Sequence, residues 1–129
     1  MKQFSPQSLA KLSTCDQRLQ ILFKAVVNHF DCVILEGHRD EATQNKAFAE
    51  KRSTKQWPNG EHNKTPSRAV DVAPYPIDWS DTQRFHYFAG VVMGIASQLG
   101  LKVRWGGDWD KDTEVKDETF RDLVHFEIQ

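Results

Sequence analysis

The residue types best suited to metal chemistry lie in two separate segments of the chain. The first segment holds His62 and Asp71, and the second, near the end of the chain, holds Asp122 and His125. Two imidazoles and one carboxylate are ligands that Zn²⁺ accepts, and three protein ligands leave a fourth position for water. A carboxylate three residues before the second histidine can take a proton from that water. These four residues predict metal-assisted amide hydrolysis.

Each of these residues also has a purely structural interpretation. Asp71 lies between two valines, where a carboxylate is costly unless it is paired or bound to a metal. Strand alternation equally permits Asp71 to face solvent, so both interpretations stay open. The Asp122 and His125 pair is weak evidence by itself. His29 and His86 fall in predicted helices without an acidic or histidine partner at ligand spacing, so we expect them to be structural or exposed.

Bulk composition narrows the class of protein. The chain has 129 residues, 39% of them hydrophobic, which predicts one domain over residues 1–129 with a single core. The net charge of −1 without a basic run argues against a nucleic-acid partner. We expect no membrane insertion, because no run of about 18 apolar residues occurs. Cys15 and Cys32 belong to no CxxC pair, so we expect two reduced thiols in or near the core.

Hydrophobic periodicity predicts helices and strands that mix without a strict βαβ rhythm. This favours an α+β fold with an antiparallel sheet. Thr14 with Gln17, Asp40, and Ser80 with Gln83 are the expected helix starts. Leu99 is expected on the apolar stripe of the last helix, before Gly100 ends it. Helices are predicted over 14–30, 40–51 and 80–99, and strands over 32–36, 69–73, 101–105 and 123–128.

Four segments together carry a family resemblance. In order they are EGHRDEATQNKAF, GEHNKTPSRAVDVAPYPIDW, KVRWGGDWD and DLVHFE. The chain resembles the LD/DD-peptidase family of zinc enzymes that cleave peptidoglycan, and most of all the L-alanyl-D-glutamate endopeptidases that phages use as endolysins. The resemblance runs from Leu35 to Gln129. It implies a compact α+β fold, shared with DD-carboxypeptidases and the hedgehog signalling domain, in which a small antiparallel sheet packs with helices. It also implies that His62, Asp71 and His125 bind Zn²⁺.

The chain departs from the family pattern at three positions. Gly60 stands where the family usually has Ser, two residues before His62. Asp71 follows His62 by nine residues, where the family usually has seven, so the intervening turn is expected to be longer. His38 occupies a position that is usually aromatic, and it is not counted as a ligand.

Catalytic roles follow from charge, and the resemblance supports the role of Asp122. Bound Zn²⁺ lowers the pKa of its water toward ~7. Asp122 is the expected base, which accepts the water's proton and passes it to the leaving amine. Arg39 is expected to hold the scissile carbonyl and stabilise the oxyanion. The alternative for Arg39 is a surface salt bridge to Asp40 or Glu41.

Three further side chains are predicted near the site. Gln44 and Trp105 are expected to line the substrate groove. Glu127 either orients His125 or faces solvent on the final strand.

An acidic loop raises a second question about metals. Its carboxylates offer the oxygen ligands that Ca²⁺ prefers, although Thr113 and Thr119 rule out an EF-hand. Ca²⁺ binding and a solvated acidic loop therefore both stand as predictions. The loop carries Asp108, Asp110, Asp112, Glu114, Asp117 and Glu118.

The resemblance predicts a phage endolysin that cuts the L-Ala–D-Glu bond of the peptidoglycan stem peptide. Two alternatives are a D-Ala-D-Ala carboxypeptidase or dipeptidase on the same fold, and a non-catalytic, zinc-stabilised wall-binding module. The N-terminal segment has no apolar run typical of a signal peptide. We therefore expect the protein to accumulate in the host cytoplasm and to act on the wall once released. We also expect a monomer.

Overall fold

The computed structural model of the protein describes residues 3–114 and 122–129. It contains four α-helices and a four-stranded antiparallel sheet of order β1-β2-β4-β3, which confirms the predicted α+β class. The elements in chain order are α1 (Pro6–Leu12), α2 (Gln17–Val26), β1 (Cys32–Glu36), α3 (Glu41–Ala49), a 3-10 turn (Glu61–Asn63), β2 (Ala69–Pro74), α4 (Thr82–Gln98), β3 (Val103–Gly106) and β4 (Asp122–Ile128).

The central strands β2 and β4 separate an apolar face of the sheet from a polar one. Val70 pairs with Phe126, and the next pair along is Asp71 with His125. Because successive side chains of a strand point to opposite faces, the two pairs lie on opposite sides of the sheet. Val70 and Phe126 are fully buried in the core, which α2 and α4 complete. The polar face is therefore the one available for chemistry.

Two helices close the apolar face by contacting the same phenylalanine. Phe23 of α2 and Phe88 of α4 meet the ring of Phe126 edge-on, at centroid distances of 5.4 and 6.2 Å. Such edge-to-face pairs are favourable and fix ring orientation. The core thus holds β4 against both helices.

The pairing of each central strand with its outer neighbour contains an irregularity in register. A bulge between Ile34 and Glu36 places Glu36 opposite Asp71, on the polar face. A register shift after Trp105 places Gly106 opposite Asp122. A side chain at Gly106 would collide with the carbonyl oxygen of Asp122, so only glycine allows this approach.

The helix starts differ in part from those predicted. Asp40 caps α3 as expected, accepting from the N–H of Thr43. The expected capping of α2 by Thr14 is wrong, because Asp16 lies directly before the helix and accepts from Arg18. The Thr14 hydroxyl instead donates to a carbonyl of α1 and accepts from the backbone N–H of His38.

The last helix shows a similar correction. Asp81 caps α4 by accepting from Arg84, whereas the Ser80 hydroxyl donates to Asp78. Gly100, with φ of 72°, ends the helix as predicted. Leu99 is 45% exposed and not part of the buried stripe, because it is the C-cap residue.

The sequence pattern did not predict α1. Its signal is the dipeptide Ser5-Pro6, in which the serine caps the helix and the proline occupies the first turn. The helix packs on β1, where the Ser8 hydroxyl accepts from the N–H of Ile34.

The two thiols lie in the core and are not joined, as predicted. Burial raises the pKa of Cys15 to about 11 and that of Cys32 to about 12. Within residues 3–114 and 122–129, no helix combines the length and apolar character needed to span a membrane.

Candidate metal centre

All three predicted ligands meet on the polar face of the sheet. Oδ1 of Asp71 lies 3.2 Å from Nε2 of His62 and 3.4 Å from Nδ1 of His125. The three atoms lie within 4.8 Å of one another, and the three residues are buried. The solvent-facing interpretation of Asp71 is therefore wrong. Every residue of β2 is buried, and the Asp71 carboxylate faces the two imidazoles.

Each histidine uses its other ring nitrogen to hold the ring in place. Nδ1 of His62 donates to the carbonyl oxygen of Gly37 at 2.8 Å, and Nε2 of His125 lies 2.7 Å from Oε1 of Glu127. Metal-binding histidines typically donate their second N–H in this way, which fixes ring orientation. Glu127 is itself held by Arg104 at 2.8 Å. Of the two roles predicted for Glu127, the structure places it as the partner of His125.

Close packing around Gly37 positions His62. A side chain at Gly37 would collide with the Lys11 carbonyl and the Thr14 hydroxyl, so the β1 end approaches α1 closely enough only with glycine. The turn that carries His62 is tied down by the bond from the Gly60 N–H to Oδ1 of Asn63.

Electrostatics in the site favour a bound cation. Burial raises the pKa of Asp71, but the positive charge and hydrogen bonds of His62 and His125 outweigh it and hold the pKa well below its usual range. Burial lowers the pKa of His125, but hydrogen bonds to Asp71 and Glu127 outweigh that and raise it to about 9. A proton on His125 thus occupies the place that a cation would take. Two nitrogens and one oxygen fit Zn²⁺.

Asp122 lies beside the three ligands. Its Oδ2 is 3.9 Å from Nδ1 of His125, and its side chain is 30% exposed. Burial and the negative charge of Asp71 raise the pKa of Asp122. A carboxylate at the edge of the cleft with a raised pKa has the properties of a general base.

Arg39 lies at the wall of the site, and its ion-pair partners differ from those expected. Its guanidinium donates to both carboxylate oxygens of Glu36, at 2.7 and 3.3 Å, and Nη2 lies 3.6 Å from Oδ2 of Asp71. The side chain is 11% exposed. The alternative of a surface ion pair to Asp40 or Glu41 is therefore wrong, because the bulge in β1 supplies Glu36 instead.

Gln44 joins Arg39 to the wall of the cleft. Its Oε1 accepts from Nη1 of Arg39 at 3.0 Å and from Nδ2 of Asn63 at 3.2 Å, and its Nε2 donates to Ser53 and to the carbonyl of Lys55. Arg39 can only donate and a carbonyl can only accept, so the amide has one orientation. Both ends of this amide are fully used.

The structural role of Gln44 was missed from the sequence, where only a place in the groove was expected. It is 1% exposed, and Ala47 on the same side of α3 is 2% exposed. The spacing of three residues between them was the available signal, because such residues share one face of a helix.

The ligands open into a cleft of about 410 Å³. Trp109 contributes to its wall, whereas the expected Trp105 lies in the core and donates its indole N–H to the carbonyl of Leu123 at 2.9 Å. The cleft is lined by Arg39, Gln44, Arg52, Ser53, Thr54, Lys55, Gly60, Glu61, His62, Arg104, Trp109, Asp122, His125 and Glu127.

The acidic loop is present as a cluster. Carboxylate oxygens of Asp108, Asp110 and Asp112 lie within 4.8 Å of one another. Each carboxylate also accepts a hydrogen bond from a backbone N–H group of residues 112–114. These bonds satisfy part of the cluster's acceptor capacity. The acidic residues expected over 115–118 lie outside the described residues.

Comparisons with known proteins identify the family of this chain. The L-alanyl-D-glutamate peptidase of Escherichia phage T5 is 28% identical over 123 residues, covering 92% of this chain and 89% of that protein. The crystal structure of the Serratia marcescens L-Ala D-Glu endopeptidase ChiX shares the fold, with a TM-score of 0.79 at 22% identity over 99% of this chain and 91% of that one. Residues 1–129 match the family model described as phage L-alanyl-D-glutamate peptidase. The chain belongs to the family of phage L-alanyl-D-glutamate peptidases.

Proposed function

We propose that this chain is a single-domain, zinc-dependent endopeptidase that cleaves the L-Ala–D-Glu bond of the peptidoglycan stem peptide and acts as a phage endolysin. Membership of the family supports the peptidase activity. The observation that carries the metal dependence is the convergence of His62, Asp71 and His125 on one point, with each imidazole fixed through its second nitrogen.

Nε2 of His62, Oδ1 of Asp71 and Nδ1 of His125 would hold the ion. Imidazole nitrogen favours Zn²⁺ over Mg²⁺ or Ca²⁺, which prefer all-oxygen sites. When bound there, Zn²⁺ would act as a Lewis acid, lowering the pKa of water and polarising the scissile carbonyl. Metal analysis of the purified protein by inductively coupled plasma mass spectrometry tests the identity and stoichiometry.

Asp122 serves as the base in this proposal. Its carboxylate accepts a proton from the attacking water and returns it to the amine nitrogen of D-Glu as the amide bond breaks. The burial that raises its pKa supports this role, because the carboxyl group can then hold the proton between the two steps.

Arg39 supplies fixed positive charge in this proposal. Glu36 and Gln44 hold its guanidinium at the wall of the cleft. There it stabilises the negative charge that develops on the carbonyl oxygen of the scissile bond, without reorganising during the reaction.

One digestion experiment tests the bond that is cut. Purified cell walls are treated with the zinc-loaded protein, and the released muropeptides are analysed by mass spectrometry. Release of whole stem peptides with D-Glu at the new amino terminus supports the endopeptidase. Loss of a terminal D-Ala instead identifies the carboxypeptidase alternative. No hydrolysis, together with unfolding in EDTA, identifies a zinc-stabilised binding module.

A second ion, Ca²⁺, stays a prediction for the cluster of Asp108, Asp110 and Asp112. Titration with Ca²⁺ while following their backbone amide resonances decides between an ion site and a solvated loop. The monomeric state and the release from the host cytoplasm also stay predictions, which size-exclusion chromatography and fractionation of infected cells address.

A further inference from the structure

A second groove, separate from the metal centre, meets the main cleft at Asp122. It has a volume of about 210 Å³ and is lined by Trp79, Thr82, Phe85, Asp122, Leu123 and Val124. In the described part of the chain, Asp122 is the one residue that lines both the groove and the cleft. An endopeptidase must hold its substrate on both sides of the scissile bond. The residue that protonates the leaving amine should lie where the two sides meet.

The walls of the two cavities differ in charge. The main cleft has an excess of positive charge, because four cationic side chains face three carboxylates there: Arg39, Arg52, Lys55 and Arg104 against Glu61, Asp122 and Glu127. Among the described residues that line the second groove, Asp122 is the only ionisable one. The main cleft thus suits an anionic part of a substrate, and the second groove suits an uncharged part.

The two sides of the L-Ala–D-Glu bond differ in the same sense. D-Glu is linked through its side-chain carboxyl group, so its α-carboxylate is free and negatively charged. On the other side, L-Ala is joined by an amide to the lactyl group of the muramyl sugar, which leaves that side without charge. The charges of the substrate and of the two cavities therefore match in one orientation.

Trp79 gives the uncharged groove a surface suited to a sugar. It is 62% exposed, and its ring lies against Phe85 with centroids 5.4 Å apart and planes tilted by 32°. Phe85 is only 3% exposed and supports one side of the indole. The C–H face of a pyranose ring can stack on such an exposed indole face, and the apolar walls of Leu123 and Val124 suit methyl groups.

We propose that the groove defined by these six residues, the Trp79 groove, binds the N-acetylmuramyl sugar and L-Ala of the substrate. D-Glu and the residues after it lie in the main cleft beside Arg52 and Lys55. The scissile amide lies at the junction, next to Asp122. The inference rests on the endopeptidase function proposed above and adds the orientation of the substrate.

The test compares two soluble substrates that differ only in the sugar. One is the tripeptide N-acetyl-L-Ala-γ-D-Glu-L-Lys, and the other carries N-acetylmuramic acid in place of the acetyl group, so that both lack a charged amino terminus. The wild-type protein should cleave the muramyl substrate with a kcat/KM about tenfold higher, the size expected for one aromatic contact. Trp79→Ala should remove this advantage, so that its kcat/KM falls about tenfold further on the muramyl substrate than on the sugar-free one.

Two variants control for indirect effects. Tyr87→Ala removes another exposed aromatic side chain, 69% exposed and not among the groove residues, and should leave the preference intact. Trp79→Phe keeps an aromatic ring against Phe85 and should restore part of the preference. An equal loss on both substrates by Trp79→Ala, or an unchanged preference, would overturn the proposal.

Product binding separates this proposal from the proposed function. N-acetylmuramyl-L-alanine is titrated into the wild-type protein while the indole N–H resonance of Trp79 is followed by NMR, which requires no turnover. A saturable shift of that resonance supports the groove even if neither substrate is cleaved, in which case only the endopeptidase function fails. A resonance that does not move contradicts the groove even if both substrates are cleaved.

Discussion

Asp71 and His125 are direct cross-strand neighbours, with Nδ1 of His125 3.4 Å from Oδ1 of Asp71. Side chains at paired positions of adjacent antiparallel strands lie on one face within contact distance. The register of β2 and β4 therefore places two ligands at once. A shift of one residue in this register would turn one of the two ligands toward the apolar face. The burial of Val70 and Phe126 on that face opposes such a shift.

Replacing the proposed base should separate chemistry from metal binding. Asp122→Asn should keep zinc bound and lower kcat by about 10²–10⁴-fold, the usual contribution of general acid–base catalysis. His125→Ala should lose the metal instead, because it removes a ligand. Metal content and kcat are measured on the same samples. Normal turnover by Asp122→Asn would place the base elsewhere.

Glu127 should affect zinc affinity without touching the ion. Glu127→Gln weakens the hold on the His125 ring and should reduce zinc affinity by about 10–100-fold, as other such partners of metal-binding histidines do. Competition with a chelating dye gives the affinity. Glu50→Gln is the matched control, since Glu50 makes an exposed ion pair with Arg52. An unchanged affinity in Glu127→Gln would show that the hydrogen bond is unimportant.

The raised pKa of His125 predicts that thermal stability changes with pH in opposite directions in the metal-free and the zinc-loaded protein. Its folded pKa of about 9 exceeds the ordinary 6.5, so its proton stabilises the metal-free fold fully below pH 6.5, and this stability is lost as pH rises through about 9. Zinc displaces that proton, so its apparent affinity should rise about tenfold per pH unit over the same range. Tm measured from pH 6 to 9 with and without zinc checks both trends. Tm values that change with pH in the same direction in both forms would contradict the role of His125 as a zinc ligand.

Replacing Gln44 with an apolar residue should impair the protein more than replacing it with an acidic residue. Gln44→Leu removes the acceptor for Nη1 of Arg39 and the amide donor to the carbonyl of Lys55, which should lower the unfolding free energy by about 1–3 kcal/mol. Gln44→Glu keeps the acceptor for Arg39 and should retain more of the wild-type kcat/KM, although it loses the donor to Lys55. Chemical denaturation and kinetics are compared at equal zinc content. Equal kcat/KM in the two variants would argue against a role through Arg39.

The thiols should be unreactive in the folded protein. With pKa values raised from 9.0 to about 11 and 12, Cys15 and Cys32 carry about a hundredfold and about a thousandfold less thiolate than an ordinary cysteine at pH 8. Iodoacetamide labelling followed by mass spectrometry should show little modification until guanidinium unfolds the chain. Fast labelling of the native protein would contradict their burial.

Much of the candidate site was readable from residue type and order. Residue type and spacing left a solvent-facing Asp71 open, and the family resemblance predicted His62, Asp71 and His125 as ligands, which meet as expected. The α+β class followed from periodicity. Local patterns were less decisive at helix starts, where Asp16 and Asp81 act in place of the expected Thr14 and Ser80. Where several polar residues are adjacent, each of them could cap the helix, and the rest of the fold decides which one does.

The sequence alone determined which groups are available for chemistry and the class of fold that carries them. The tertiary structure decided their partners: Glu36 for Arg39, Glu127 for His125, and the Gln44 amide between Arg39 and the cleft wall. A bulge in β1 and the pairing of distant strands create these contacts. They join residues far apart in sequence, so no local periodicity encodes them, and only the packed sheet fixes which side chains face each other.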